Sequence, residues 1–195
     1  MSENKIKYGI CNLHYAKITS VSTTGEFTYA SPKAFAGAVS LSLSNNGDNV
    51  KFYADNIEFW VGNGSTGYEG DLEVARVTDD FKKDILGYVA DNKDVMVEDL
   101  NAEIAHFALL FQFEGDVKAT RHVLYNVTAG RPNMDGSTKG ESIEPATETI
   151  SISATSAYNA AFDKQLVKAE ANANSNSTTY DNWFTAVYAA TPKTS

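Results

Sequence analysis

The chain has 195 residues, 43% hydrophobic and 21% charged, which fits a globular protein of ordinary domain size and excludes a disordered one. A net charge of −9 excludes a grip on nucleic acid through phosphate neutralisation, while leaving room for an acidic surface standing beside DNA. The single cysteine, Cys11, excludes an internal disulfide framework and points to synthesis in a reducing cytoplasm.

The opening Met1-Ser2-Glu3-Asn4-Lys5 carries no signal-peptide pattern, so export by the general secretory route is not expected. Period-2 alternation then dominates and predicts strands. Tyr8 and Ile10 open an N-terminal strand, and Phe27 and Tyr29 begin a short second one after the Thr24-Gly25 turn. In Val39-Ser40-Leu41-Ser42-Leu43-Ser44 the apolar residues face one way and the serines the other. Residues 45–67 read as a long hairpin-like arm, rich in aromatics between Phe52 and Trp60. Its end, Gly62-Asn63-Gly64-Ser65-Thr66-Gly67, is a flexible turn; it lacks the lysine of a phosphate-cradling loop and precedes a strand pattern.

Leu72 and Val74 continue the alternation. Asp79-Asp80-Phe81-Lys82-Lys83-Asp84-Ile85-Leu86-Gly87 predicts a helix of about two turns, with an aspartate as N-cap and Gly87 as the stop. Phe107, Leu109, Phe111 and Phe113 share one strand face, and Ala108, Leu110, Gln112 and Glu114 the other. The run 107–111 is too short to cross a bilayer, and no membrane insertion is expected. Glu114-Gly115-Asp116 turns the chain into a strand on which Val123, Tyr125, Val127 and Ala129 share a face. A long polar loop follows over 130–146, then a strand with Ile150, Ile152 and Ala154 on one face. Residues 171–179 are Asn/Ser-rich and read as a loose surface loop before a C-terminal helix around Tyr180-Asp181-Asn182-Trp183-Phe184.

Half-buried strands must set their apolar faces against something, and two facing sheets about 10 Å apart are the simplest solution. The expected fold class is therefore mainly β: a sandwich or barrel in a single domain over 1–195, with one short flanking helix, a long hairpin arm and a short C-terminal helix.

No constellation points to catalysis. His14, His106 and His122 fall in separate predicted strands, with no Ser or Cys in a nucleophile-elbow context nearby. Asp79-Asp80 fits helix-start electrostatics, and Asp48 with Asp55 lacks the dense oxygen spacing of a calcium loop. Lys118, Arg121 and His122 form a small basic cluster, more simply a solvated strand end than a nucleic-acid site. No catalytic, metal-binding or cofactor-binding residue is assigned, and no enzyme activity is expected. The arm admits two readings: its aromatics fold back onto their own core, or they reach a neighbour as interface anchors. The second is preferred. It makes Phe52, Tyr53, Asp55, Asn56, Phe59 and Trp60 candidates for inter-subunit contact, and Trp183 and Phe184 candidates for C-terminal packing or a further interface.

Several segments, in order along the chain, resemble the major tail proteins (tail tube proteins) of long-tailed phages and prophages of Gram-positive bacteria. They are Lys7-Tyr8-Gly9, Asn12-Leu13-His14-Tyr15-Ala16, Gly37-Ala38-Val39-Ser40-Leu41-Ser42-Leu43 and Phe52-Tyr53-Ala54-Asp55-Asn56. The resemblance continues through Gly67-Tyr68-Glu69-Gly70-Asp71-Leu72-Glu73, the 79–87 helix, the 107–111 run, 119–126 and 142–149, and leaves 171–179 unmatched. It implies a tail-tube-type β-sandwich whose copies form hexameric rings that stack into a hollow tube for DNA. The partners it implies are the chain itself and other tail proteins, such as tape measure, tail terminator and distal tail protein. DNA would pass through the lumen without sequence-specific binding. No cofactor is implied, and the protein would reside in the virion tail after synthesis in the host cytoplasm. A share of the acidic residues would then face the lumen, so that DNA slides without sticking. The alternative is a carbohydrate-binding or host-adhesion β-sandwich of a phage tail; a wall hydrolase would need paired catalytic carboxylates that cannot be placed here.

Overall fold

The computed structural model describes residues 6, 8–47, 50–62, 64, 66–134, 136, 138 and 145–193. Residues 1–5, Asp48, Asn63 and Ser65, and most of 135–144 in the polar loop, lie outside the described residues. The strands are β1 (Tyr8–Val21), β2 (Phe27–Tyr29), β3 (Lys33–Ala34), β4 (Ala38–Asn46), β5 (Val50–Ala54), β6 (Ile57–Gly62) and β7 (Gly67–Val74). Helix α1 (Asp79–Asp84) follows, then β8 (Val89–Ala90), β9 (Met96–Val97), β10 (Phe107–Glu114), β11 (Arg121–Ala129) and β12 (Glu148–Thr155). The chain ends with β13 (Ala157–Asn159), β14 (Lys164–Leu166), β15 (Lys168–Ala171) and α2 (Ser177–Asp181). The fold is mainly β, and neither helix is long or apolar enough to cross a membrane.

One large antiparallel sheet runs in the order β2-β1-β10-β11-β12-β7-β4, with β3 also pairing β1 and β15 also pairing β11. β1 packs against β4 from the far side of that path, so the sheet curls on itself. The facing layers expected of a sandwich or barrel are thus parts of one sheet. Inside the curl, Leu72, Val74, Phe107, Leu109, Ile150 and Ile152 form a core closed by Phe81 and Ile85 of the α1 segment. A second core lies on the outer face of β10 and β11, where Ala108, Leu110, Val123 and Tyr125 are covered by Ala157, Ala171 and Trp183.

Two bulges change the faces that simple alternation assigns. β11 takes one extra residue between Leu124 and Val127 relative to β10. Val123 and Tyr125 therefore face the outer core, whereas Leu124, Val127 and Ala129 face the inner one. β11 also changes neighbour there, pairing β15 over 121–124 and β12 over 126–129. The buried amide of Asn126 sits at the switch, donating to Thr155 Oγ1 (2.9 Å) and the Ser156 carbonyl (3.2 Å) and bonding His106 Nδ1 (2.7 Å). On β4 the extra residue is Val39, which turns outward while Ala38, Leu41 and Leu43 pack on the inner core.

The helices also depart from expectation at their ends. The N-cap of α1 is Thr78, whose side chain accepts from the Phe81 amide, and the two aspartates occupy the first turn. Gly87 does end the turn, with φ +75°, and a Cβ there would stand 2.8 Å from Ala102 Cβ. α2 ends before Trp183, and Asn176 caps it, so the Asn/Ser-rich stretch is helix start and tied turn. Ala171 is buried at the end of β15, and Ala173 N donates to the Lys118 carbonyl. His106 precedes β10 and is not part of a strand.

A polar clamp ties α1 to the sheet: Tyr15 Oη and Lys33 Nζ both donate to Asp84 Oδ2, at 2.9 and 2.6 Å. Partial burial raises the Asp84 carboxyl, but these donors outweigh it, and the group lies below the usual carboxylate range. A carboxyl depressed by folding stabilises fully above its unfolded-chain value, and that contribution is lost as pH falls through the lower folded value. Urea midpoints measured from about pH 6 down to pH 2 are therefore expected to fall less steeply for Asp84→Asn than for the native chain.

Candidate assembly surface

The arm is β5 and β6, joined through Asp55 and Asn56 with φ of 51° and 63°. Two successive left-handed residues make the tight turn that matches strand twist, and Asp and Asn tolerate it better than most side chains. Phe59 is the extra residue of a bulge opposite Phe52 and Tyr53. Directly opposed residues share a face, so Phe52 and Trp60 lie side by side, with Ala54 and Ile57 beyond them. The Trp60 ring crosses Gly62, where an added Cβ would stand 2.2 Å from Cη2. The other face carries Tyr53, Val61 and the Lys51–Glu58 ion pair at 2.7 Å.

The arm's aromatics do not return to the core: Phe52 is 58% exposed, Phe59 69% and Trp60 56%. Trp183 and Phe184 behave differently. Trp183 is 2% exposed, donates through Nε1 to the His122 carbonyl and stacks on Tyr188 at 5.3 Å. Phe184 stacks on His14 at 4.9 Å. Arg121 lies over the Tyr180 ring, 3.8 Å from its centroid, and donates to the Tyr180 carbonyl. The basic cluster predicted at the start of β11 thus supplies part of the seat for the C-terminal segment. The three histidines are dispersed: His14 against Phe184, His106 bonded to Asn126, and His122 stacked on Phe111.

Sequence reasoning did not single out a second surface. β7 turns Leu72 and Val74 inward and Glu69, Asp71 and Glu73 outward. Hydroxyl residues flank each carboxylate: Ser44 and Ser153 beside Glu69, Ser42 and Ser151 beside Asp71, Ser40 and Thr149 beside Glu73. No Lys or Arg occurs in β4, β7 or β12. Hydrogen bonds from Thr147 Oγ1 (2.6 Å) and Ser40 Oγ (2.9 Å) hold the Glu73 carboxyl below the usual range, so it stays charged. The signal was the Glu-x-Asp-x-Glu alternation, legible once β7 is known to bury the opposite parity.

These features define a mainly β protein with an apolar hairpin held away from its core and an acidic, hydroxyl-lined sheet face. No family model matches the chain, and no curated protein matches it. Among solved structures, a chain of the cryo-EM structure of the anti-feeding prophage (AFP) baseplate, 6-fold symmetrised, matches with a TM-score of 0.42 and 11% identity. The match covers 89% of this chain and 99% of that one. A likeness at that score does not establish a shared fold.

Truncating Trp183 to alanine empties the centre of the outer core, and is expected to destabilise the chain by about 3–5 kcal/mol in urea unfolding. Unchanged stability would reassign Trp183 from packing to an external contact.

Proposed function

We propose that this chain is a non-enzymatic structural protein that assembles with copies of itself, as the ring subunit of a phage-type tail tube. The arm is the observation that carries the reading. A two-stranded hairpin with an apolar face is marginal in water alone, and a protein partner that buries the face stabilises it. The segments resembling major tail proteins narrow the partner to other copies, in hexameric rings that stack into a tube for DNA. The Glu69, Asp71 and Glu73 rows line the lumen, where negative charge and small hydroxyl side chains repel phosphate without offering stacking surfaces. Tape measure, tail terminator and distal tail proteins are the proposed further partners, and the virion tail is the proposed location.

Electron microscopy of the purified chain is expected to show rings or tubes. A variant lacking residues 50–63 is expected to stay folded, by circular dichroism and thermal unfolding, yet to remain monomeric. Unfolding of that variant would return the arm to a core role. A strictly monomeric native chain that binds glycan would favour the adhesion reading instead.

Charge reversal tests the lumen. With Glu69, Asp71 and Glu73 all changed to Lys, assembled tubes are expected to retain DNA at low salt and release it at high salt, while native tubes retain none. Equal DNA retention by both would remove these rows from the lumen.

A further inference from the structure

The outer core is not completely filled where β2 and β13 meet the C-terminal segment. Phe27 and Tyr29 stand two residues apart on β2, so both rings turn to the outer core, edge to face at 6.4 Å. With Tyr125 of β11, Tyr158 of β13 and Tyr188 they wall a cavity of about 110 Å³. The wall is pinned from several sides. Tyr29 Oη donates to the Tyr125 carbonyl at 3.0 Å, Tyr158 Oη to the Asp163 carboxylate at 2.8 Å, and Asn159 Nδ2 to the Ala190 carbonyl at 3.1 Å.

Among the described residues, the one charged side chain lining this cavity is Glu26, half-buried, with Oε1 accepting from the Ala160 amide at 2.9 Å. Asp163, bonded to Tyr158, and the exposed Lys164, opposite Asn159 on the β13–β14 ribbon, stand outside the lining. Two carboxylates against one ammonium leave the neighbourhood net negative. Tyr125 adds a second observation: it is 5% exposed, and its Oη, shut off from solvent, has no hydrogen-bond partner among the described residues. A buried hydroxyl left unpaired is costly, and a bound group that bonds it removes that cost. Burial, then the neighbouring phenol, raises Tyr29 and Tyr125 well above the usual range, so both rings stay neutral.

We propose that this cavity binds a primary alkylammonium group, held by the ring faces and the Glu26 carboxylate, with one N–H given to Tyr125 Oη. Ring faces carry negative charge and attract an ammonium, most strongly where water is excluded. An anionic ligand would meet Glu26 and the same ring faces, and both repel it. Size sets the length of the ligand: a cavity of about 150 Å³ takes benzene, so this one takes roughly four non-hydrogen atoms. The site is independent of self-assembly, because a single chain supplies the whole of it. A bound amine would tie β2, β13 and the C-terminal segment together and stabilise the outer core by mass action.

The test titrates the full-length chain with n-propylammonium chloride, 1-propanol and sodium propionate, followed by NMR and by the thermal midpoint. The ammonium is expected to bind saturably in the millimolar range and to raise the midpoint. The alcohol, of the same size, is expected to bind about tenfold more weakly, and propionate not at all. Glu26→Gln keeps an acceptor for the Ala160 amide but removes the charge, and is expected to weaken the ammonium about tenfold. Tyr125→Phe removes the unpaired hydroxyl alone, so the variant is expected to be at least as stable as the native chain while binding the ammonium several-fold more weakly. Equal binding of ammonium and alcohol, or binding untouched by both variants, would overturn the site and leave Tyr125 to buried water. Nα-acetyl-lysinamide separates the two sources of such a group: binding tighter than propylammonium upholds the site for a protein lysine, and weaker binding upholds it for a free amine.

Discussion

β10 and β11 carry apolar side chains on both faces, so neither face can be left in water. The inner face is covered by curling the sheet until β1 meets β4, with Phe81 and Ile85 closing the space. The outer face cannot be reached by that curl, and the 157–188 segment covers it instead, anchored by Trp183. The bulge near Asn126 makes the double duty possible. It rotates the second half of β11, so that Val127 and Ala129 join Leu124 in the inner core while Val123 and Tyr125 serve the outer one. With both faces of the central strands committed, the polar outer face of β4, β7 and β12 stays open to solvent.

How much of this was legible follows from what alternation can and cannot encode. Strong period-2 segments such as 107–114 and 148–155 could be read directly, because one parity is apolar throughout or both are. Bulges could not. A single inserted residue inverts every face beyond it, and nothing in Val123-Leu124-Tyr125-Asn126-Val127 marks which residue is extra. Asn126 carried no signal of its role, which depends on Thr155 and His106, brought near by pairing 20 or more residues away. The hairpin arm was legible from Asp55-Asn56 between aromatic runs, but its exposure was not, because an apolar face reads alike whether its partner is its own core or another chain. The exposed Val89 and Val97 of β8 and β9 carried less signal still, since two-residue strands leave no period to detect.

Strand edges and an apolar hairpin are hazards in a protein meant to remain alone. Apart from the bulge at Phe59, the arm lacks the usual protections: its two strands contain no proline, its sole lysine is neutralised by Glu58, and its face bears large aromatics. Folding alone does not require this arrangement, because the two cores are complete without it. An element that adds exposed apolar surface without adding to the core is most simply explained by burial against something else.

The distribution of surfaces then bears on the shape of any assembly. Apolar side chains concentrate at the two ends of the sheet, whereas the carboxylate rows occupy a side face. Charges on that face act over about 8 Å at physiological ionic strength, so they oppose close approach of phosphates or of another acidic face. Apolar attraction is thereby strongest at the ends, and repulsion strongest across the side face. A subunit with a uniformly apolar surface would aggregate in all directions, and one charged all over would stay single. Unlike apolar ends on an acidic body favour growth by length, which is the property a tube requires of its building block.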